Sequence, residues 1–198
     1  LISLWTSYRL KPYQSHLYIE MAVSLLNKEP KRAAELLERV INRDISGTSF
    51  MMLDKLAQAH AHFQLARYFD DEKSSLKAQE HYEKALQQYD KLGQPYFSQV
   101  SRLNLLWIRV NEKHWLGFDS EFDLCYEICE RYGYSYVLAG LHLLKSIELS
   151  DHLQFQESLE RVEQSLTLLP KKANRQALLD VLCQKARFLN LMGKRKLA

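Results

Sequence analysis

Glycine and proline are scarce in this chain, six and four in 198 residues, and no long stretch alternates apolar with polar residues. Sheets and their tight turns need that alternation and those turn residues, so their shortage argues against a β-rich fold and for an all-α one. No apolar run approaches the ~20 residues required to cross a bilayer. The start, LISLWTSYRLKPYQ, has neither the basic opening, the unbroken apolar centre nor the small-residue cleavage site of a secretory leader. Three cysteines, an odd number, do not make a disulfide framework and suit a reducing, cytoplasmic setting. The phosphate-cradling GxxxxGK and GxGxxG loops, the HExxH metal motif and the Gly-x-Ser-x-Gly nucleophile turn are all missing. No enzyme or cofactor site is therefore expected.

What is present is helix periodicity. Apolar residues make up 46% of the chain and aromatics 11%, ample for a continuous core. From Lys55 to Gly93 the sequence reads KLAQAHAHFQLARYFDDEKSSLKAQEHYEKALQQYDKLG. Leu56, Ala59, Phe63, Ala66 and Phe69 recur at spacings of three and four, and Ala78, Tyr82 and Ala85, flanked by Leu76 and Leu86, repeat that spacing in the second half. The polar stretch Asp70 to Ser75 divides them and offers Ser74 or Ser75 as an N-cap, so the segment predicts a helical hairpin.

Small residues stand where the two helices would approach most closely. Leu65-Ala66, Phe69, Ala78, Tyr82 and Ala85-Leu86 resemble, offset for offset, the tetratricopeptide repeat. His62 departs from it where Trp is frequent, and Lys73 where Gly is usual. Parts of the pattern return. Ala33, Leu37 and Val40-Ile41, then Ser158, Val162, Ser165-Leu166 and Pro170, match the second helix of a unit, and Leu182, Ala186, Leu189 and Gly193 match the first. With Ala33, Ala78, Ser158 and Ala198 taken as equivalent, a period near forty emerges, longer than the ~34 residues of the standard repeat. In this the chain resembles the divergent repeats of MalT-like bacterial transcriptional regulators.

The resemblance implies an all-α, right-handed superhelix of antiparallel hairpins, about ten helices in one domain over residues 1–198. Its units span roughly 13–45, 50–93, 95–133, 134–170 and a truncated 171–198, and the chain is expected to be a fragment of a longer protein. The first dozen residues are read as the end of a preceding helix, Tyr13 to Asn27 and Pro30 to Arg43 as the first hairpin, and Asp151 as the N-cap of the helix running to Leu169. Lys145 falls where the repeat prefers Leu, which suggests a shifted register there.

First helices would line the concave wall of such a superhelix. The residues that the resemblance assigns to it are His60, Phe63 and Arg67 in the second unit, Asn104 in the third, with Ile108 beside it, and Asp180, Cys183, Arg187 and Asn190 in the fifth. Arg and Asn there would hold a peptide's carboxylates or backbone amides. The expected function is a scaffold for a protein or peptide, or for another domain of the parent chain, as the regulatory repeat domain of a bacterial signalling or transcriptional regulator. The alternative is a small-molecule sensor with an apolar pocket near Trp107, Trp115 and Tyr136.

Other features have two readings. Cys125 and Cys129, four apart on a helix, are either two metal ligands or, as expected, small core residues. Tyr126, Tyr132, Tyr134 and Tyr136 are a recognition patch or packing between units. Of the net +3, residues 171–198 hold eight Lys or Arg against one acid, Asp180, a local +7, while the remainder sets nineteen bases against twenty-three acids, −4. A basic end can touch nucleic acid or an acidic partner, but the acidic remainder argues against nucleic acid, and a solvated face is the simpler expectation.

Overall fold

The computed structural model describes residues 14–43, 51–169 and 175–193. The first twelve residues, the 44–50 connection and Ala198, each read from sequence above, lie outside them. Among the described residues all regular structure is helical. The described residues form nine helices: α1 Gln14–Leu25, α2 Pro30–Ile41, α3 Met51–Asp71, α4 Ser75–Lys91, α5 Pro95–Asn111, α6 Phe118–Tyr132, α7 Ser135–Asp151, α8 Phe155–Leu168 and α9 Arg175–Leu191. The chain divides into two compact units, Leu1–Ser101 and Arg102–Ala198.

One kind of turn organises both units. Lys73, Gly93, Lys113, Gly133 and Leu153, each 20 residues after the last, all have left-handed backbone with φ between 55° and 68°, and Gly193 repeats it 40 residues on. After α3, the Lys73 N–H donates to the Asp70 carbonyl (3.0 Å) and the Ser74 N–H to that of Phe69 (2.8 Å). After α7, the Leu153 N–H donates to Ser150 (3.0 Å) and the Gln154 N–H to Leu149 (2.9 Å), and Gly93 and Gly133 close their helices likewise. These bonds satisfy carbonyls that a helix end otherwise leaves open. The residue after the left-handed one then opens the next helix: the Ser74 carbonyl accepts from Ala78 and the Gln154 carbonyl from Ser158, both at 3.0 Å. At 73, 93, 133 and 153 two residues thus end one helix and start the next, whereas after Lys113 the helix α6 opens only at Phe118, behind Gly117.

This turn bears on three expectations. Ser74 occupies the N-cap of α4 as expected, but its side chain makes no capping bond. Asp151 is not an N-cap. It is the last residue of α7, and α8 begins four residues later behind Gln154. No register shift occurs at Lys145 either, since Lys73 and Leu153 place it in step with Leu65. A lysine fits there because its ammonium ion-pairs with Asp119 (2.8 Å) and Glu148 (3.0 Å) while lying 5.9 Å and 5.8 Å from the Phe118 and Phe122 ring centres.

In unit 1, α1, α2 and α3 pack around Ile19, Ala22, Ala33, Leu37, Val40, Ala57 and Leu65. A buried polar link joins them: the Ser15 hydroxyl donates to Asp54 Oδ1 (3.0 Å), and Arg43 Nη1 donates to the Ser15 Oγ (2.7 Å). The hairpin α3–α4 closes through alanines, with Ala59, Ala66, Ala78 and Ala85 fully buried. In unit 2, α7 is covered on most sides and packs against α6 and α8. Phe188 and Val181 seat α9 on Leu143 and Val162. Cys125 and Cys129 are buried in α6 as small core residues.

Candidate functional site

The constant turn spacing gives each residue of α3 a counterpart four steps on in α7, and the two helices can be compared side chain by side chain. Ala59 and Ala139 match and both are buried. His62 and His142 match too. His62 Nδ1 lies 3.0 Å from His81 Nδ1, and Arg161 Nη1, at the place of His81, donates to His142 Nδ1 at 3.3 Å. Burial first, then His81 and Lys84 in one case and Arg161 in the other, lowers both imidazoles to about 4, with Glu80 opposing the shift at His62.

Between them the helices diverge. His60 Nδ1 is 2.6 Å from the Tyr89 hydroxyl, and its ring meets Phe97 edge-on at 4.8 Å between ring centres. Tyr89 stacks on Phe97 at 5.3 Å. These three rings form a plug in unit 1. Their counterparts in unit 2 are Gly140, Leu169 and Ala177. Three aromatic rings have become a hydrogen atom, an isobutyl group and a methyl.

A cleft opens there. A hollow of about 150 Å³ is bounded by Gly140, Leu169 and Ala177 together with Leu103, Trp107 and Tyr136, and it adjoins a second hollow of about 350 Å³. Trp107, Leu143 and Asp180 border both, and Cys183 and Gln184 complete the outer one. The cleft lies among α7, α9 and the part of α5 from Leu103 onward, and all its lining residues belong to unit 2. Gly140 allows α5 to approach: a Cβ there would come within 2.7 Å of Leu103 Cδ2.

The polar groups of the cleft are mixed, with donors on Trp107, Tyr136 and Gln184 and acceptors on Asp180 and Gln184. Ser165 also borders the inner hollow, but its hydroxyl is spent on the Ala139 carbonyl (2.7 Å). Asp180 supplies a carboxylate. Gln184 Oε1 is shut off from solvent and accepts no hydrogen bond among the described residues. Among the described lining residues there is no Lys or Arg.

Of the residues expected on a concave wall, Asp180 and Cys183 line this cleft. Arg187 and Asn190 lie further along α9, both exposed. Asn104 is half-buried, and the turn register puts Leu103, not Asn104, in step with Phe63. His60 belongs to the aromatic plug, and Phe63 packs edge-on against Tyr82 with 5.5 Å between ring centres. Arg67 is exposed and donates to Gln64 Oε1 at 3.1 Å. Trp107 and Tyr136 border the inner hollow as the pocket expectation had it, whereas Trp115 packs on Phe118 (5.5 Å) outside it. Gly140, Leu143 and Ala177 escaped the sequence reading. Their signal was the 20-residue step, which sets small residues against His60 and Phe97.

No protein family, curated protein or solved structure matches this chain.

Proposed function

We propose that the chain is a binding scaffold: a tetratricopeptide-like superhelix of helical hairpins that holds a protein or peptide segment on the wall formed by its first helices. The observation that carries the reading is the cleft among the first helices α5, α7 and α9, which opens where three aromatic rings of unit 1 give way to Gly140, Leu169 and Ala177. Its concave, largely apolar lining with a few polar groups is the usual make-up of a ligand site. The regulatory repeat domain of a bacterial signalling or transcriptional regulator is the setting that the sequence resemblance suggests.

A second reading, a small-molecule sensor, is favoured by Trp107 and Tyr136 bordering the inner hollow. Affinity capture from a bacterial lysate separates the two, comparing the native chain with Ala177→Phe, which restores the ring found in unit 1. The scaffold reading expects a protein retained by the native chain and lost by the variant. A small molecule released on denaturing the native chain, with no protein retained, would favour the sensor.

A further inference from the structure

The walls of the plug in unit 1 and of the inner hollow in unit 2 correspond residue for residue, four steps of the turn spacing apart. Leu56, Ala59, Phe63 and Ala85 pack around Tyr89. Their counterparts Tyr136, Ala139, Leu143 and Ser165 border the hollow beside Leu169. In unit 1 these walls hold the fully buried Tyr89 ring, with His60 and Phe97 against it. Granted that the cleft is the binding site proposed above, we infer that the inner hollow takes the aromatic ring of a Phe or Tyr carried by the bound segment.

The size and the surroundings of the hollow suit a ring. An apolar cavity of about 150 Å³ admits a benzene ring, and the inner hollow has that volume. Trp107 and Tyr136 border it, and aromatic pairs, edge to face or offset, add an attraction that an aliphatic group of equal size lacks. Leu103, Leu143 and Val181 supply aliphatic surface. The Ser165 hydroxyl, spent on the Ala139 carbonyl, asks nothing polar of the occupant.

The outer hollow indicates that the ring is tethered. It holds about 350 Å³, shares Trp107 and Leu143 with the inner hollow, and is bordered further out by Cys183, which is exposed. A free one-ring molecule would fill the inner hollow alone. An extended segment sends one side chain inward and continues through the outer hollow, its next side chain turning to the opposite face.

Two measurements test this, with Ala177→Phe as the filled variant and a thermal melt to check that it is folded. The first is calorimetric titration with p-cresol, the ring of a tyrosine side chain, and with its saturated analogue 4-methylcyclohexanol. The native chain is expected to bind p-cresol about threefold or more tighter than the saturated ring, and Ala177→Phe to bind neither. The second is selection from a random dodecapeptide phage library, followed by titration of the synthesised peptides. Enriched peptides should share a Phe or Tyr whose replacement by Ala weakens binding about tenfold or more, and p-cresol should displace them. That competition gives the answer even if Ala177→Phe does not fold. Peptides anchored by Leu, Ile or Met, or peptides that neither p-cresol nor Ala177→Phe disturbs, would overturn the ring inference and leave the scaffold reading standing. Binding of p-cresol with no peptide enriched over bare resin would overturn the tethered ring and the scaffold reading in favour of the small-molecule sensor. Binding of neither p-cresol nor any peptide would overturn both outright.

Discussion

Unit 1 and unit 2 place the same turn at the same spacing and then fill the space between helices in opposite ways. Around His60 the interior is closed by three rings in mutual contact, one of them hydrogen-bonded to another. Around Gly140 it is open, and a glycine, a leucine and an alanine leave room for an outside group. A few ångströms away the two units agree again, with His62 and His142 buried against the second helix of each hairpin. The framework is therefore set by small residues and turns, and the difference between filled and hollow by three positions that the framework does not constrain.

The largest effect should come from the framework. Ala78 and Ser158 are fully buried at corresponding positions of α4 and α8. Ala78→Arg forces a long charged side chain into a closed helix contact and is expected to cost about 4 kcal/mol or more, with Ser158→Arg similarly severe. Chemical denaturation measures both. A variant within error of the native chain would mean that these contacts are looser than the alanine packing implies.

Acid should act on both units alike. His62 and His142 have folded pKa values near 4, below the ordinary 6.5, so the unfolded chain takes up their protons first as pH falls. Their contribution is fully in place above about pH 6.5 and is lost between there and pH 4. Allowing for partial screening, each should weaken the fold by about 2 kcal/mol at pH 4. Urea midpoints for His62→Asn and His142→Asn should have a shallower pH slope over that window, and a slope equal to the native one would remove the histidines from the account.

Exchanging the filling should be milder and should run in opposite directions. Phe97→Ala opens in unit 1 the hollow that unit 2 has, at a cost of about 2 kcal/mol, less than a core phenylalanine because this ring is 36% exposed. Ala177→Phe closes the hollow in unit 2 and should leave the melting temperature unchanged or raised. Gly140→His would lose about 1–3 kcal/mol, since even its Cβ meets Leu103. A destabilised Ala177→Phe would show that the cleft is not the vacant counterpart of the plug.

The smallest effects lie at the turns. Lys73, Lys113 and Leu153 hold the left-handed conformation that glycine holds at 93, 133 and 193. Replacing any of the three by Gly relieves that strain and should stabilise by about 0.5–1 kcal/mol, while Gly93→Ala and Gly133→Ala should destabilise by a similar amount. Differential scanning calorimetry resolves shifts of this size.

The hairpin from Lys55 to Gly93 was legible because its helices depend on local spacing and its closure on alanines, both of which leave periodic marks. The left-handed residue at Lys73 was less so: the departure from glycine was visible, but not that a lysine would adopt the same backbone. The Asp151 error has the same root, since a helix that ends through backbone bonds at Leu153 needs no polar cap and gives no side-chain signal. At the candidate site, Asp180 and Cys183 were reached through the resemblance. Gly140 and Ala177 were passed over because a missing side chain has no chemistry to read.

The sequence by itself determined helices, hairpins and the small residues that bring them together, because periodicity and steric size act between neighbours along the chain. Whether the space beside Ala59 or Ala139 is full or empty was decided only in the tertiary structure. That depends on rings and methyl groups contributed by three separate helices, and a cavity is a property of their sum.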